Sequence, residues 1–299
     1  MRILRGLVRV CTAMGALAAL GSLLGAVHPL GDSLAVMRPW IAGGLTVCVV
    51  AALSVAQSRW AGLAAVLAGL CVVLSAPLPW RAVTADQFAV PQSVYQKNLL
   101  FRLSDPSRIL ADIAALDPDH ITLQEVSAGN RAAVYDVLAA RYEHQYCTFP
   151  VVGGVAVLSR YPVIEGTRIC VDGEGLAGFQ VDAPGGPLWV VSIHLRWPYP
   201  YYQRDQIELL LPVIEALDGP VLIGGDFNMV RATWVTRAFE RTSGSNLAAP
   251  LAGTIQLFDG WFAPAIDHVF LPNTGGIHSV RPRNNSDHRS VFALFEGAP

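Results

Sequence analysis

In Val221–Val230, V-L-I-G-G-D-F-N-M-V, an acid and an amide lie two positions apart at the end of an apolar run. Asp226 and Asn228 alternate, so in extended backbone both side chains point to the same side. Held together at a strand end, they suit a hydrated hard cation and the oxygens of a phosphate. Gly224 and Gly225 let the chain turn sharply and leave room for a ligand close to the backbone. A turn closed by an Asx-type hydrogen bond would use the same residues. The stretch therefore has to be weighed with the other polar clusters of the chain.

Those clusters also fall at the ends of strand-like runs. They are Asn98; Gln124-Glu125 in H-I-T-L-Q-E-V; His194 in S-I-H-L; Asp267-His268 in I-D-H-V-F; and Ser286-Asp287-His288. A phosphodiester is anionic, so water attacks it only when charge on its oxygens is neutralised. Mg²⁺ prefers oxygen ligands and keeps several waters, so one or two carboxylates suffice. Glu125 with Asp226 or Asp287 could supply them. A His–Asp pair adds a cation or proton donor of fixed orientation. His268 alternates with Asp267, which turns it to the other sheet face and gives it a structural role. His120, His144 and His278 read as surface or packing residues.

In their order, L-Q-E-V, S-I-H-L, G-G-D-F-N, I-D-H-V-F and S-D-H-R-S-V resemble the motifs of the endonuclease/exonuclease/phosphatase superfamily, the deoxyribonuclease I-like fold. The resemblance runs from about Val94 to Phe295. It implies a four-layer α/β/β/α sandwich with two mixed sheets and Mg²⁺-dependent hydrolysis of a phosphate ester, with Mn²⁺ as the alternative ion. It further implies that Glu125, Asn98 and Asp287 belong to the metal site. Asp226 would orient or deprotonate the attacking water, with Asn228 contacting the phosphate. His194 and His288 would meet phosphate oxygens or assist proton transfer, and Asp267 would orient a histidine or support the metal shell. The family often has a second asparagine shortly after the first; here Phe101-Arg102-Leu103-Ser104 follows instead.

The elements needed to place these residues can be read from the spacing of apolar side chains. Strands are expected at Ser93–Phe101, His120–Val126, Tyr142–Cys147, Gly154–Ser159, Val163–Val171, Gly178–Val181, Leu188–Leu195, Pro220–Gly225, Ala265–Leu271 and Arg289–Phe295. Helices are expected at Asp105–Leu116, capped by Ser104 or Asp105, at Ala128–Ala140, and at Gln203–Leu217, where Pro212 should kink or interrupt the turn. Arg196–Tyr202, R-W-P-Y-P-Y-Y, follows His194 almost directly. Its rings could line a substrate site, touch a bilayer surface or simply pack as a stiff loop, and Trp234 poses the same question.

The first eighty residues are of another kind. Three apolar segments, roughly Val10–Val27, Trp40–Ala56 and Trp60–Ala76, approach the ~20 residues that cross a bilayer. Trp40, Trp60 and Trp80 lie at or near their ends, where amphipathic rings favour the headgroup zone. Pro77-Leu78-Pro79 should stop the third helix. Arg2, Arg5 and Arg9 could also head a cleaved signal peptide, but no clear small-x-small site follows and two more apolar segments do. The expected organisation is a three-helix transmembrane region over 1–80, a linker over 81–92 and a catalytic domain over 93–299. Arginines before the first segment and Arg59 between the second and third favour the cytoplasmic side, which leaves the catalytic domain extracytoplasmic. Arg38 and Arg81 weigh against that orientation. The chain reads as a multi-pass inner-membrane protein with a periplasmic or otherwise extracytoplasmic domain.

Charge narrows the substrate. The chain has 21 basic and 23 acidic residues; removing the six basic residues and one acid of the first 85 positions leaves 15 against 22, a net charge of −7. Non-specific nucleic-acid binding normally shows a basic surface, so this balance disfavours a general nuclease without excluding one. The expected partners are a phosphate-ester substrate, nucleic acid or phospholipid headgroup, and the lipid bilayer. No protein partner is evident. A non-catalytic membrane receptor or scaffold on the same fold is the rival, disfavoured by the full set of acids and histidines. Cys11, Cys48 and Cys71 read as small apolar residues of helices. Cys147 and Cys170 lie in neighbouring strands, and an extracytoplasmic location would permit a disulfide.

Overall fold

The computed structural model describes residues 1–76, 82–150, 152–248 and 252–297. The expected helix stop at Pro77–Pro79, Trp80 and Arg81 lie outside the described residues. The chain divides into two compact units. One joins residues 1–76 to Trp197–Arg204 and Met229–Arg237, and the other takes the remaining residues.

In the first unit, α1 spans Arg2–Gly21, α2 Leu30–Val36, α3 Arg38–Ser54 and α4 Ser58–Ser75. By length and composition α1 and α4 can each cross a membrane, whereas α2 and α3, meeting at 70°, qualify only as one bent pair. Two expectations change here. Arg2, Arg5 and Arg9 lie within α1 rather than before it, and the stretch between the first two apolar segments contains a short helix, α2. Small residues bring the helices together: Ala19, Ala42, Ala64, Ala68 and Cys71 are buried with Leu45 and Leu67. Such contacts let helix backbones approach closely. The outward faces stay apolar, with Leu17 72 % and Val66 70 % exposed.

Among the described residues the second unit carries twelve strands. In chain order they run β1 Pro91–Asn98, α5 Ser107–Leu116, β2 His120–Val126, α6 Tyr135–Ala139, β3 Glu143–Cys147, β4 Gly154–Ser159 and β5 Ile169–Val171. There follow β6 Leu176–Ala183, β7 Gly186–His194, α7 Gln203–Glu215, β8 Val221–Asp226, α8 Trp234–Ser243, β9 Asn246–Ala248, β10 Asp267–Leu271, β11 Gly275–Val280 and β12 Val291–Glu296. They form two six-stranded mixed sheets, ordered β11-β12-β1-β2-β4-β3 and β5-β6-β7-β8-β10-β9. The parallel pairs β1–β2 and β7–β8 are central to each sheet.

Strand alternation builds the layers. Val94, Val157, Phe179, Val190, Leu222 and Phe295 fill the space between the sheets. Tyr95, Ile121 and Leu158 point outward onto Ile109 and Ile113 of α5 and Leu138 of α6. On the far side Phe239 of α8 packs against Phe227 and Phe270. This is the expected sandwich of two mixed sheets between helices. Cys147 and Cys170 form a disulfide.

Some local expectations fail for identifiable reasons. Only Tyr135–Ala139 of the helix expected over Ala128–Ala140 forms. Asn130 instead accepts from Ser127 N and donates to the carbonyls of Leu100 and Glu125, a local alternative to helical bonding. The strand expected over Val163–Val171 shrinks to Ile169–Val171, interrupted by Gly166 at φ +79°. Asp105 lies before α5, which starts at Ser107, and its Oδ1 accepts from Ser107 N. Pro212 is carried inside α7. Gly224 and Gly225 form no turn; both lie within β8. A Cβ on Gly224 would sit 2.3 Å from Thr122 Oγ1 of the facing sheet, and one on Gly225 2.2 Å from Ile193 O. These glycines make room for neighbouring strands, not for a ligand.

Candidate active site

Asp226 closes β8, and register alone sets it beside His194 of β7 and Asp267 of β10. Asn98 closes β1 opposite Gln124 of β2. The ends of two central parallel pairs therefore meet across the sandwich. Asn98 Nδ2 donates to Glu125 Oε1 at 3.1 Å and to Asp226 Oδ2 at 3.0 Å, which ties the two sheets together. Its Oδ1 accepts from Leu100 N. Glu125 is turned toward this point by a bulge between Leu123 and Val126 and has φ +57°. A left-handed non-glycine backbone costs on the order of 1–3 kcal/mol and persists where surroundings enforce it. Here Phe101 N donates to Glu125 Oε2 at 2.7 Å.

The second half of the site is a buried relay. His288 Nδ1 lies 2.8 Å from Asp267 Oδ2, and His288 Nε2 lies 3.8 Å from Asp226 Oδ2. His194 Nε2 lies 3.6 Å from the same Asp226 oxygen, with its ring against Phe149. Burial pushes Asp226 up to about 7, with the charge of Asp267 adding to it. Burial opposes charge on His288 too, but Asp267 and Asp226 outweigh it and raise the imidazole to about 9. Burial likewise opposes charge on Asp267, yet His288 and the hydrogen bonds of His288, Thr254 and Gln96 hold it below the usual carboxylate range. Burial and the nearby His288 push His194 down to about 3. His288 is thus the charged imidazole and His194 the neutral one, so the His194–Asp226 contact is not an ion pair.

Asn228 departs from the alternation argument. The strand ends at Asp226, and Asn228 has φ +48°. Its N–H donates to Asp226 Oδ1 at 2.9 Å, and its Nδ2 donates to Leu195 O at 2.7 Å. The Asx-type turn considered from the sequence is therefore present, and it braces the acid while the amide holds the end of β7. Asp287 is partly exposed and close enough to Glu125 to add to the rise that burial causes there. His268 faces Phe227 on the outer side of its sheet. His120 bonds Gln92 and Ser159, and His278 lies 2.7 Å from Val83 O.

Several supporting residues escaped the sequence reading. Gln96 Nε2 donates to Gln124 Oε1 and Asp267 Oδ1, fixing the acid that holds His288. Its position two before Asn98, on the same strand face, was the available signal. Ser286 Oγ donates to Asn98 O and accepts from His288 N. Lys97, fully buried on the opposite face of β1, donates to the carbonyls of Arg283 and His288. No pattern marks a lysine on a helix-covered strand face as buried.

The donor set fits a hard cation. Glu125, Asp226, Asp267 and Asp287 set four carboxylates against one charged imidazole, and burial raises the proton affinity of Glu125 and Asp226. Donor atoms of Asp226, Asp267 and His288 also lie within 4.8 Å of one another. A hard ion prefers oxygen to imidazole nitrogen, so the carboxylates of Glu125 and Asp226, bridged by the Asn98 amide, are the better cradle. A cleft lined by Phe101, Ser127, Tyr146, Thr148, Phe149 and Gly153 opens beside it.

Comparison with solved structures places this architecture among known folds. The human Nocturnin catalytic domain with bound sulfate is 17 % identical at TM-score 0.52, covering 69 % of this chain and 94 % of that one. An AP endonuclease from Archaeoglobus fulgidus is 13 % identical at TM-score 0.51, with 68 % and 99 % covered. A Staphylococcus aureus beta toxin mutant with bound magnesium ions is 13 % identical at TM-score 0.50, again with 68 % and 99 % covered. At these identities the likeness is one of fold. No curated protein matches the chain by sequence. The family model for the Endonuclease/Exonuclease/phosphatase family matches residues 96–288, well over half the chain and every acid and histidine of the site. The protein belongs to the endonuclease/exonuclease/phosphatase family.

Proposed function

We propose that the protein is a membrane-anchored, Mg²⁺-dependent phosphoesterase that hydrolyses phosphodiesters by water attack on the extracytoplasmic side. The observation that carries the reading is Asp226, shared between the Asn98–Glu125 pair and the His288–Asp267 relay. Glu125 and Asp226 are the residues to hold the ion, Asn98 braces them, and Asp287 borders them. When bound, Mg²⁺ would neutralise charge on the phosphate oxygens.

The chain's own groups supply the rest. Asp226, where the two halves of the site meet, is placed to orient the attacking water or accept its proton. His288, charged and aimed by Asp267, meets a phosphate oxygen or returns a proton to the leaving alkoxide. Neutral His194 offers a further contact at the same oxygen cluster. The water oxygen bonds to phosphorus as the bond to the alcohol breaks, giving a phosphomonoester and an alcohol. The disulfide and the apolar helices support an oxidising, membrane-apposed location.

The test is hydrolysis of bis-p-nitrophenyl phosphate by the full chain in detergent, with and without Mg²⁺. We expect activity that EDTA removes and Mg²⁺ restores. Asp226→Ala should lower kcat by a factor on the order of 10³. Full activity in that variant would sink the mechanism.

A further inference from the structure

We propose that the Trp197–Tyr202 loop is a headgroup-binding surface, and that the phosphoester this site takes is carried by a membrane phospholipid rather than a nucleic acid. The inference rests on the phosphoesterase reading above and names its substrate class.

The loop belongs to the helical unit. Ser33 Oγ of α2 donates to Tyr199 O at 2.9 Å, and the Tyr199 ring stands edge-on to His28 at 5.5 Å, just beyond α1. Arg204 donates to Gly25 O and lies 3.8 Å from Asp32, with its guanidinium carbon 3.4 Å from the centre of the Trp234 ring. Asp32 in turn accepts from Trp234 N at 2.9 Å, and Arg38 donates to Ala232 O at 3.0 Å. The loop is therefore pinned at the level where α1 ends and α2 begins.

Pinning has not hidden its rings. Trp197 is 45 % exposed, Tyr199 46 %, Tyr201 63 % and Tyr202 72 %. Four aromatic side chains left open on one ordered loop form a patch that water disfavours and a headgroup layer favours. The anchoring residues continue directly from helices apolar enough to cross a bilayer, which identifies the occupant of the patch as the lipid surface. Charge agrees. In the two segments Trp197–Arg204 and Met229–Arg237, Arg204, Arg231 and Arg237 stand against no acid, and Asp32 is the one acid of the unit, an excess suited to lipid phosphates. The chain from Asp86 onward is net acidic and unsuited to a polyanion.

Chain order links the surface to the chemistry. Trp197 comes three residues after His194, and the segment Met229–Arg237 begins directly after Asn228. Both loops that leave the catalytic strands pass into the helical unit.

The test compares three substrates for the full chain: bis-p-nitrophenyl phosphate, vesicles of phosphatidylcholine with phosphatidylglycerol, and a DNA oligonucleotide. The variant is Tyr201→Ser with Tyr202→Ser. We expect headgroup release from vesicles by the parent protein, at least tenfold slower in the variant. Its rate on the soluble diester should be unchanged, which also reports that it folds. An unchanged vesicle rate in the variant, or DNA cleaved in preference to vesicles, overturns the inference while leaving the phosphoesterase reading intact. No hydrolysis of any substrate by the parent overturns that reading instead. The surface then has its own measurement, with a fluorophore on Tyr202→Cys in a chain whose Cys11, Cys48 and Cys71 are alanine. Brominated lipids should quench it, and quenching by aqueous iodide alone refutes lipid contact.

Discussion

Asp226 and Asp267 are partners in strand register, yet their surroundings drive them apart. Asp267 keeps its charge because His288, Gln96 and Thr254 all favour it, whereas burial leaves Asp226 ready to take a proton. Two carboxylates pushed in opposite directions divide the labour of base and orienting group. Replacing Asp267 with Asn should separate them experimentally. His288 would lose its nearest counter-charge, so its value should fall from about 9 toward the ordinary imidazole range. Its charge would then be lost at lower pH than in the parent. We expect kcat to drop by roughly 10²-fold or more, with the alkaline limb of its pH profile moved to lower pH. An unmoved alkaline limb would show that His288 is not the group titrating there.

At the scale of the elements, β2 carries a buried histidine at its opening and the strained Glu125 near its close. His120 sits between Gln92 and Ser159, with Asp119, Arg160 and Tyr161 nearby, and burial lowers it to about 4. Its ordinary value is about 6.5, so below that pH the unfolded chain takes a proton that the folded one refuses. The associated stability is present in full above about 6.5 and is lost as pH falls toward 4, to a total of roughly 3 kcal/mol. The thermal midpoint should fall across that window, and His120→Gln should flatten the fall. His194, also depressed, preserves part of the slope; an undiminished slope in the variant would exclude His120 as a source. The sequence made β2 easy to find, since Ile121 and Leu123 alternate with polar residues before the acid. It did not show the bulge that aims Glu125, because bulges depend on pairing with β4, a partner distant in the chain. The same holds for Lys97, whose burial depends on the loop from Arg283 to His288 folding back over β1. The acids and histidines were legible because strand ends concentrate them; for Asn228 the Asx-type turn holds and the alternation does not, because a left-handed residue ends it.

At the scale of the whole molecule, the side on which the catalytic residues work depends on the parity of the spans. Two spans would return the chain to the side of Arg2–Arg9, and three would carry it across. Composition suggested three similar segments; the structure instead gives two straight helices and a pair bent at 70°. Packing favours counting that pair as a span. Leu45 of α3 is buried with residues of α1 and α4, and α3 rises about 25 Å at 1.5 Å per residue, close to the hydrocarbon thickness. Arg5 donates to Val55 O and Arg9 to Gln57 Oε1, so the arginine-bearing start of α1 shares one end of the unit with the α3–α4 turn and Arg59. On the proposed topology, the positive-inside rule would put that basic end in the cytoplasm. Of the arginines that seemed to oppose this, Arg38 is buried and bonded to Ser22 and Ala232, so it is engaged in structure rather than free to set topology. On that proposal three crossings would leave the end of α4 on the far side, where a Cys147–Cys170 disulfide would persist. We therefore expect alkaline phosphatase fused after Pro299 to be active in intact bacterial cells, and green fluorescent protein exported unfolded from the same position to be dark. The reverse pattern would mean an even number of crossings, with α2 and α3 lying in the interface and the site facing the cytoplasm.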